Sequence, residues 1–133
     1  MTTAWLDTNV ILRFLTRDPA ALAARADRLL AKAEAGEIAL RLTPIVVAEI
    51  AWALASRYGH APKDIGAALS AIVRADGILA DERDGVLEAL DVMVERRVSF
   101  PDACVAVSAR RAGEPVCTFD ADFKRLDVEI LAS

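Results

Sequence analysis

Short apolar runs alternate along this chain with longer amphipathic stretches, and each change of pattern falls at a residue that punctuates the backbone. Ala4 to Leu6 reads as a short buried strand, after which Asn9 or Thr8 can cap a helix over Val10 to Leu15. Asp18-Pro19 starts a second helix that runs to about Ala35 and stops at Gly36. Ile38 to Leu42 is the next strand. Thr43-Pro44 then reads as an N-cap followed by a proline in the first helical position, and that helix continues to about Tyr58 before Gly59. A helix from Pro62 to about Arg74 is broken before Gly77, and Ile78 to Ala80 forms a short strand. Helices over roughly Asp84 to Arg96 and Pro101 to Ala112 follow, then strands at Val116 to Phe119 and Val128 to Leu131. Strands alternating with helices predict an α/β fold with a parallel sheet of about five strands flanked by helices.

At 133 residues and 55% hydrophobic, the chain can bury the core of a single domain, residues 1–133, without disulfides. Cys104 and Cys117 lie in apolar runs and are expected to be reduced core residues. Polar residues interrupt the N-terminus too early for a secretory signal, and no apolar stretch reaches the roughly 18 residues of a membrane span, so a cytoplasmic protein is expected. A net charge of -4 argues against a general nucleic-acid binder. The distribution softens that: Arg13, Arg17, Arg25, Arg28 and Lys32 face only Asp18 and Asp27 between Thr8 and Lys32, whereas acids crowd from Asp76 to Glu95.

Four carboxylates stand where apolar sequence surrounds them. Asp7 ends the first apolar run, Glu49 is the only ionisable residue from Pro44 to Ser56, Asp102 opens Asp-Ala-Cys-Val-Ala-Val, and Asp120 follows Val-Cys-Thr-Phe. Burying a lone carboxylate is costly unless it is paired or binds a metal. Ligand sites of open α/β sheets form beyond the carboxyl ends of the strands. Asp7 and Asp120 lie at such ends, while Glu49 and Asp102 sit near the starts of their helices, so all four are expected on one rim. Each also has an ordinary structural role available. Asp7 can cap a helix, Ser99-Phe100-Pro101-Asp102 fits a capping box, and Asp120 can form an Asx turn. Glu49, with Ile45, Val46, Ile50, Trp52 and Ala53 around it, has no obvious solvated face. Asp122 is a possible assisting acid, His60 reads as a loop residue, and Trp5 and Trp52 read as packing residues.

Ligands that offer only carboxylate oxygens select Mg²⁺ or Mn²⁺ over zinc, and such ions can activate water for attack on a phosphodiester. No P-loop, no GxGxxG and no Ser-His-Asp setting competes for the role. Leu6-Asp7-Thr8-Asn9-Val10-Ile11-Leu12-Arg13, Glu49 in a helix, Pro101-Asp102-Ala103 and Thr118-Phe119-Asp120-Ala121-Asp122-Phe123 resemble, in order, the motifs of the PIN-domain ribonucleases. The likeness is strongest to the VapC-type toxins of toxin–antitoxin pairs, and it covers essentially the whole chain. It implies a PIN-like three-layer fold and a Mg²⁺- or Mn²⁺-dependent endoribonuclease. It also implies homodimerisation and neutralisation by a VapB-type antitoxin. By motif position, Asp7, Glu49, Asp102 and Asp120 carry over as metal-binding catalytic acids, with Asp122 an alternative for the fourth. Thr8, Asn9 and Thr118 carry over as site-orienting polar residues. The chain departs from many relatives at Ser99, near which they have an acid or amide. Two alternatives stand beside this reading: a catalytically degenerate PIN domain that binds RNA or a partner, and a phosphotransfer protein on a similar sheet.

Overall fold

The computed structural model describes residues 1–131. The chain forms two compact units, Met1–Glu82 and the remainder from Arg83.

The first unit runs β1 (Thr2–Trp5), α1 (Thr8–Thr16), α2 (Ala20–Glu34), β2 (Ile38–Leu42), α3 (Pro44–Ser56), α4 (Pro62–Arg74) and β3 (Ile78–Ala80). Its strands make a parallel sheet in the order β1-β2-β3, with Thr2 opposite Ile38 and Leu40 opposite Ile78. Parallel neighbours need a crossover, and each crossover here is a helix pair. Ile11, Leu42, Val47, Ile50, Leu69 and Val73 are its largest fully buried side chains. The boundaries follow from local chemistry. Thr43 Oγ1 accepts from the Val46 N–H at 3.3 Å, and Pro44 takes the first helical position, where no N–H is needed. α1 ends at Arg17, whose backbone is left-handed (φ 62°) and whose guanidinium makes a two-pronged bond to Asp27 of α2 at 2.6 and 2.7 Å. Before β3 the chain turns at Gly77 with φ +82°; a Cβ there would lie 2.2 Å from the Ala33 carbonyl oxygen.

The second unit holds α5 (Arg83–Arg96), α6 (Phe100–Ala112) and a 3₁₀ turn at Ala121–Arg125. Arg110 and Arg111 of α6 bond Glu88 of α5 at 3.3 and 2.9 Å. Arg96 reaches the Arg125 carbonyl at 2.9 Å and Asp127 at 2.9 Å, fastening the end of α5 to the segment after the turn.

The α/β architecture stands, but the expected sheet of about five strands is corrected to three among the described residues. Val116 and Ile130 form only an isolated parallel bridge. The strand expected over Val116 to Phe119 stops because side chains capture the backbone just beyond it. Thr118 Oγ1 accepts from the Asp120 N–H at 3.0 Å, and Asp120 Oδ1 accepts from the Asp122 N–H at 2.9 Å. Phe119 is left fully exposed. The first strand starts two residues and ends one residue earlier than expected and is exposed along its length; the buried residue, Leu6, follows it. Trp5 and Trp52, read as packing residues, are 67% and 61% exposed. Cys104 is half-buried and Cys117 exposed, so the expected core position fails for Cys117. No helix among the described residues is long and apolar enough to cross a membrane.

Candidate active site

In the first unit the carboxyl edge of the sheet is where β1 and β2 hand over to α1 and α3. Asp7 occupies the N-cap position of α1 with extended backbone (φ -91°, ψ 149°), yet its side chain accepts no capping hydrogen bond. The Asp7 carboxylate is exposed and has no hydrogen bond or ion pair among the described residues. The simple capping role is therefore not what this side chain performs. Thr8, the first residue of α1, donates its hydroxyl to Glu49 Oε2 at 2.6 Å. That distance is in the range of a short, charge-assisted O–H···O⁻ bond. It joins residues 41 apart in sequence and brings the α3 acid to the start of α1, one residue from Asp7. Asn9 is exposed beside them and lines a hollow of about 180 Å³ between α1 and α2, with Val10, Arg13, Leu22, Arg25, Ala26 and Leu29.

Glu49 itself is exposed, against expectation. The residues α3 buries are Val47, Ile50, Ala51, Ala53 and Leu54. Ile45, Glu49, Trp52 and Ser56, spaced four, three and four apart, make the solvent stripe. The apolar neighbours Ile45 and Trp52 do not enclose the acid, because they face solvent with it.

In the second unit Asp102 lies in the first turn of α6 and is half-buried. Its N–H donates to Ser99 Oγ at 3.2 Å, which is half of the expected capping box; among the described residues its carboxylate makes no return bond. Asp120 caps the 3₁₀ turn and forms the anticipated Asx turn through Oδ1, leaving Oδ2 unbonded among the described residues. Thr118 holds the Asp120 backbone as described above. Asp122 forms an ion pair with Arg125 at 3.3 Å.

No charged or polar side chain is buried among the described residues, so burial of lone carboxylates is not what marks these acids. Nor do three or more His, Cys, Asp or Glu residues gather as a metal-holding group among the described residues. What marks them is position. Asp7, Asp102 and Asp120 each stand at the start of a helix or helical turn, where negative charge sits well against the backbone dipoles. Glu49 is the exception, oriented by Thr8. Each of the four side chains offers only oxygens, the ligand type that hard divalent cations take. Sequence reasoning missed the exposure of Trp52 and the Arg57 guanidinium lying 5.6 Å from its ring centre. The heptad-like spacing of Ile45, Glu49 and Trp52 was the available signal.

Comparison with curated proteins and with solved structures returns no significant match. A family model described as PIN domain matches residues 4–129, a span that runs through both units.

Proposed function

The chain belongs to the PIN-domain family, and from that membership we propose that it is a divalent-metal-dependent endoribonuclease, the VapC-type toxin of a toxin–antitoxin pair. The observation that carries the reading is the 2.6 Å bond from Thr8 to Glu49 beside an unbonded Asp7 carboxylate. By motif position Asp7, Glu49, Asp102 and Asp120 are the acids that would hold the cation, within one PIN domain over the whole chain. Bound Mg²⁺ or Mn²⁺ supplies an activated water and compensation for charge developing on the phosphodiester.

The chain's own residues prepare for that in different ways. Thr8 ties down Glu49 Oε2 and leaves Oε1 available. Asp7 keeps both oxygens available because the backbone of α1 does not take them. Ser99 holds the Asp102 backbone while the Asp102 carboxylate stays unbonded among the described residues. Asp120 is assigned as the fourth acid in preference to Asp122, whose carboxylate is drawn to Arg125. The hollow between α1 and α2 is lined by Val10, Leu22, Ala26 and Leu29 together with Arg13 and Arg25. It suits an apolar antitoxin segment of VapB type, and the protein is proposed to work as a homodimer in the cytoplasm.

The test is cleavage of tRNA, rRNA and mRNA by the purified protein in Mg²⁺ and in Mn²⁺. Wild type should cut at least one class, and Asp7→Asn and Glu49→Gln should each abolish cutting while melting as folded proteins. Substantial cleavage by Asp7→Asn would overturn the assignment. RNA binding without cutting in either metal would favour the degenerate, binding-only PIN domain.

A further inference from the structure

Trp52 is the largest apolar side chain exposed on α3, and it lies one helical turn beyond Glu49 on the same solvent stripe. A tryptophan 61% exposed is unusual for a residue whose burial would be worth more than that of almost any other. It is not simply loose on the surface. The Arg57 guanidinium lies 5.6 Å from the ring centre, a cation–π distance. The same end of the helix continues into Tyr58 and His60, whose rings lie 6.5 Å apart and tilted by 35°. Arg13 of α1 reaches the Tyr58 hydroxyl at 3.3 Å, which draws this group toward the helix that begins at Asp7 and Thr8. From Pro44 to Lys63 the only acid is Glu49, while Arg57 and Lys63 supply cations.

Exposed aromatic rings interleaved with guanidinium groups are the chemistry that takes single-stranded nucleic acid: bases stack on the rings and cations track the phosphates. We infer that Trp52, with Arg57 behind it, is a stacking platform for an unpaired base of a single-stranded RNA and positions the strand against Glu49. This rests on the nuclease reading and deepens it by naming the residue that grips the strand. An indole has two faces; Arg57 addresses one, and the exposure of the ring leaves surface for a base. Trp52 is a positioning residue here, and Glu49 remains the residue that meets the reaction. A second copy of the chain is the rival occupant of this face. Arg57 against the ring, and Arg13 reaching Tyr58, favour a polyanion over an apolar protein surface.

The experiment uses the full chain and an end-labelled single-stranded RNA of about twelve nucleotides, within the span such grooves take, in EDTA so that nothing is cut. Trp5→Phe leaves Trp52 as the sole tryptophan and makes its emission the reporter. The RNA should quench that emission saturably, and an abasic strand of equal length should not. Trp52→Ala should weaken binding on the order of tenfold to a hundredfold. Trp52→Phe, which keeps a ring, should weaken it far less. Light scattering should give both variants the mass of the wild type. Unchanged affinity in a folded Trp52→Ala protein overturns the inference, as does equal damage by Phe and Ala. Halved mass with RNA affinity retained would make the face a contact between copies instead. If wild type neither binds nor cuts any RNA, the nuclease reading falls and this falls with it. If wild type cuts RNA and the Trp52 variants bind and cut as well, only the platform is refuted.

Discussion

Replacing Thr8 by Val removes the one hydroxyl that holds Glu49 and keeps the branched shape that α1 accommodates at its first position. Two costs can be separated by size. Glu49 is exposed and Thr8 half-buried, so water can replace the lost donor, and the fold should lose no more than about 1 kcal/mol. For a chain of this length that is a fall of roughly 3–4 °C in melting temperature. The effect on the site should be larger. A partner that orients a metal-binding carboxylate is worth about 10- to 100-fold in metal affinity or activity, or roughly 1.4–2.7 kcal/mol. The 2.6 Å bond is short enough to hold one carboxylate oxygen in place, and its loss frees Glu49 to sample other rotamers. The assay is RNA cleavage across a Mn²⁺ titration, run beside thermal melts. Thr8→Val should shift the Mn²⁺ midpoint upward or lower the rate by that factor, with little change in melting. Thr8→Ser, which restores a hydroxyl, should recover most of the activity. Activity and Mn²⁺ response of Thr8→Val within twofold of wild type would refute the argument, as would a Ser variant no better than Val.

Two further outcomes concern the scaffold. Gly77→Ala should cost about 1–2 kcal/mol for a left-handed backbone and about 1–3 kcal/mol more because the new Cβ would lie 2.2 Å from the Ala33 carbonyl oxygen, whereas Gly36→Ala, at φ +79° with open space, should incur only the first cost. Equal melting temperatures for the two variants would contradict this. The Arg17 guanidinium bonded to Asp27 holds the Asp27 carboxyl below its ordinary range. That pair's stabilisation is therefore fully present above the unfolded carboxylate value of about 4 and is lost as pH falls through the lowered folded value. Urea unfolding should distinguish Asp27→Asn from wild type near neutral pH at low salt, with the gap closing in acid and in high salt; a gap that widens in acid would reverse the sign.

Much of the first unit could be read from punctuation. β2 falls on Ile38–Leu42 and β3 on Ile78–Ala80 as expected, and α3 and α4 begin at Pro44 and Pro62, because proline and glycine act through backbone geometry that needs no tertiary knowledge. The end of the chain was less legible. Val-Cys-Thr-Phe has strand composition, but Thr118 and Asp120 spend their side chains on the local backbone and turn it, a competition that composition does not display. For the candidate site, residues could be named from the chain but their environment could not be read. Glu49 looked enclosed because apolar residues were assumed to face inward, yet Ile45 and Trp52 are exposed beside it. Apolar type permits burial without requiring it. The Thr8–Glu49 bond spans 41 residues, so only the packing of α1 against α3 brings it about.

That α3 buries one face and presents Glu49 on the other limits how its gene segment can change length. An α-helix advances about 100° per residue, so one codon gained or lost between Thr43 and Glu49 would swing the acid out of the stripe it shares with Ile45 and Trp52. The same change would drag Ile50 or its neighbours toward water. Folding and the placement of the proposed acid are thus bound to one reading of residue spacing. Point substitutions at Ile45 or Ser56 leave that spacing intact, whereas insertions and deletions are tolerable only where the helix has ended.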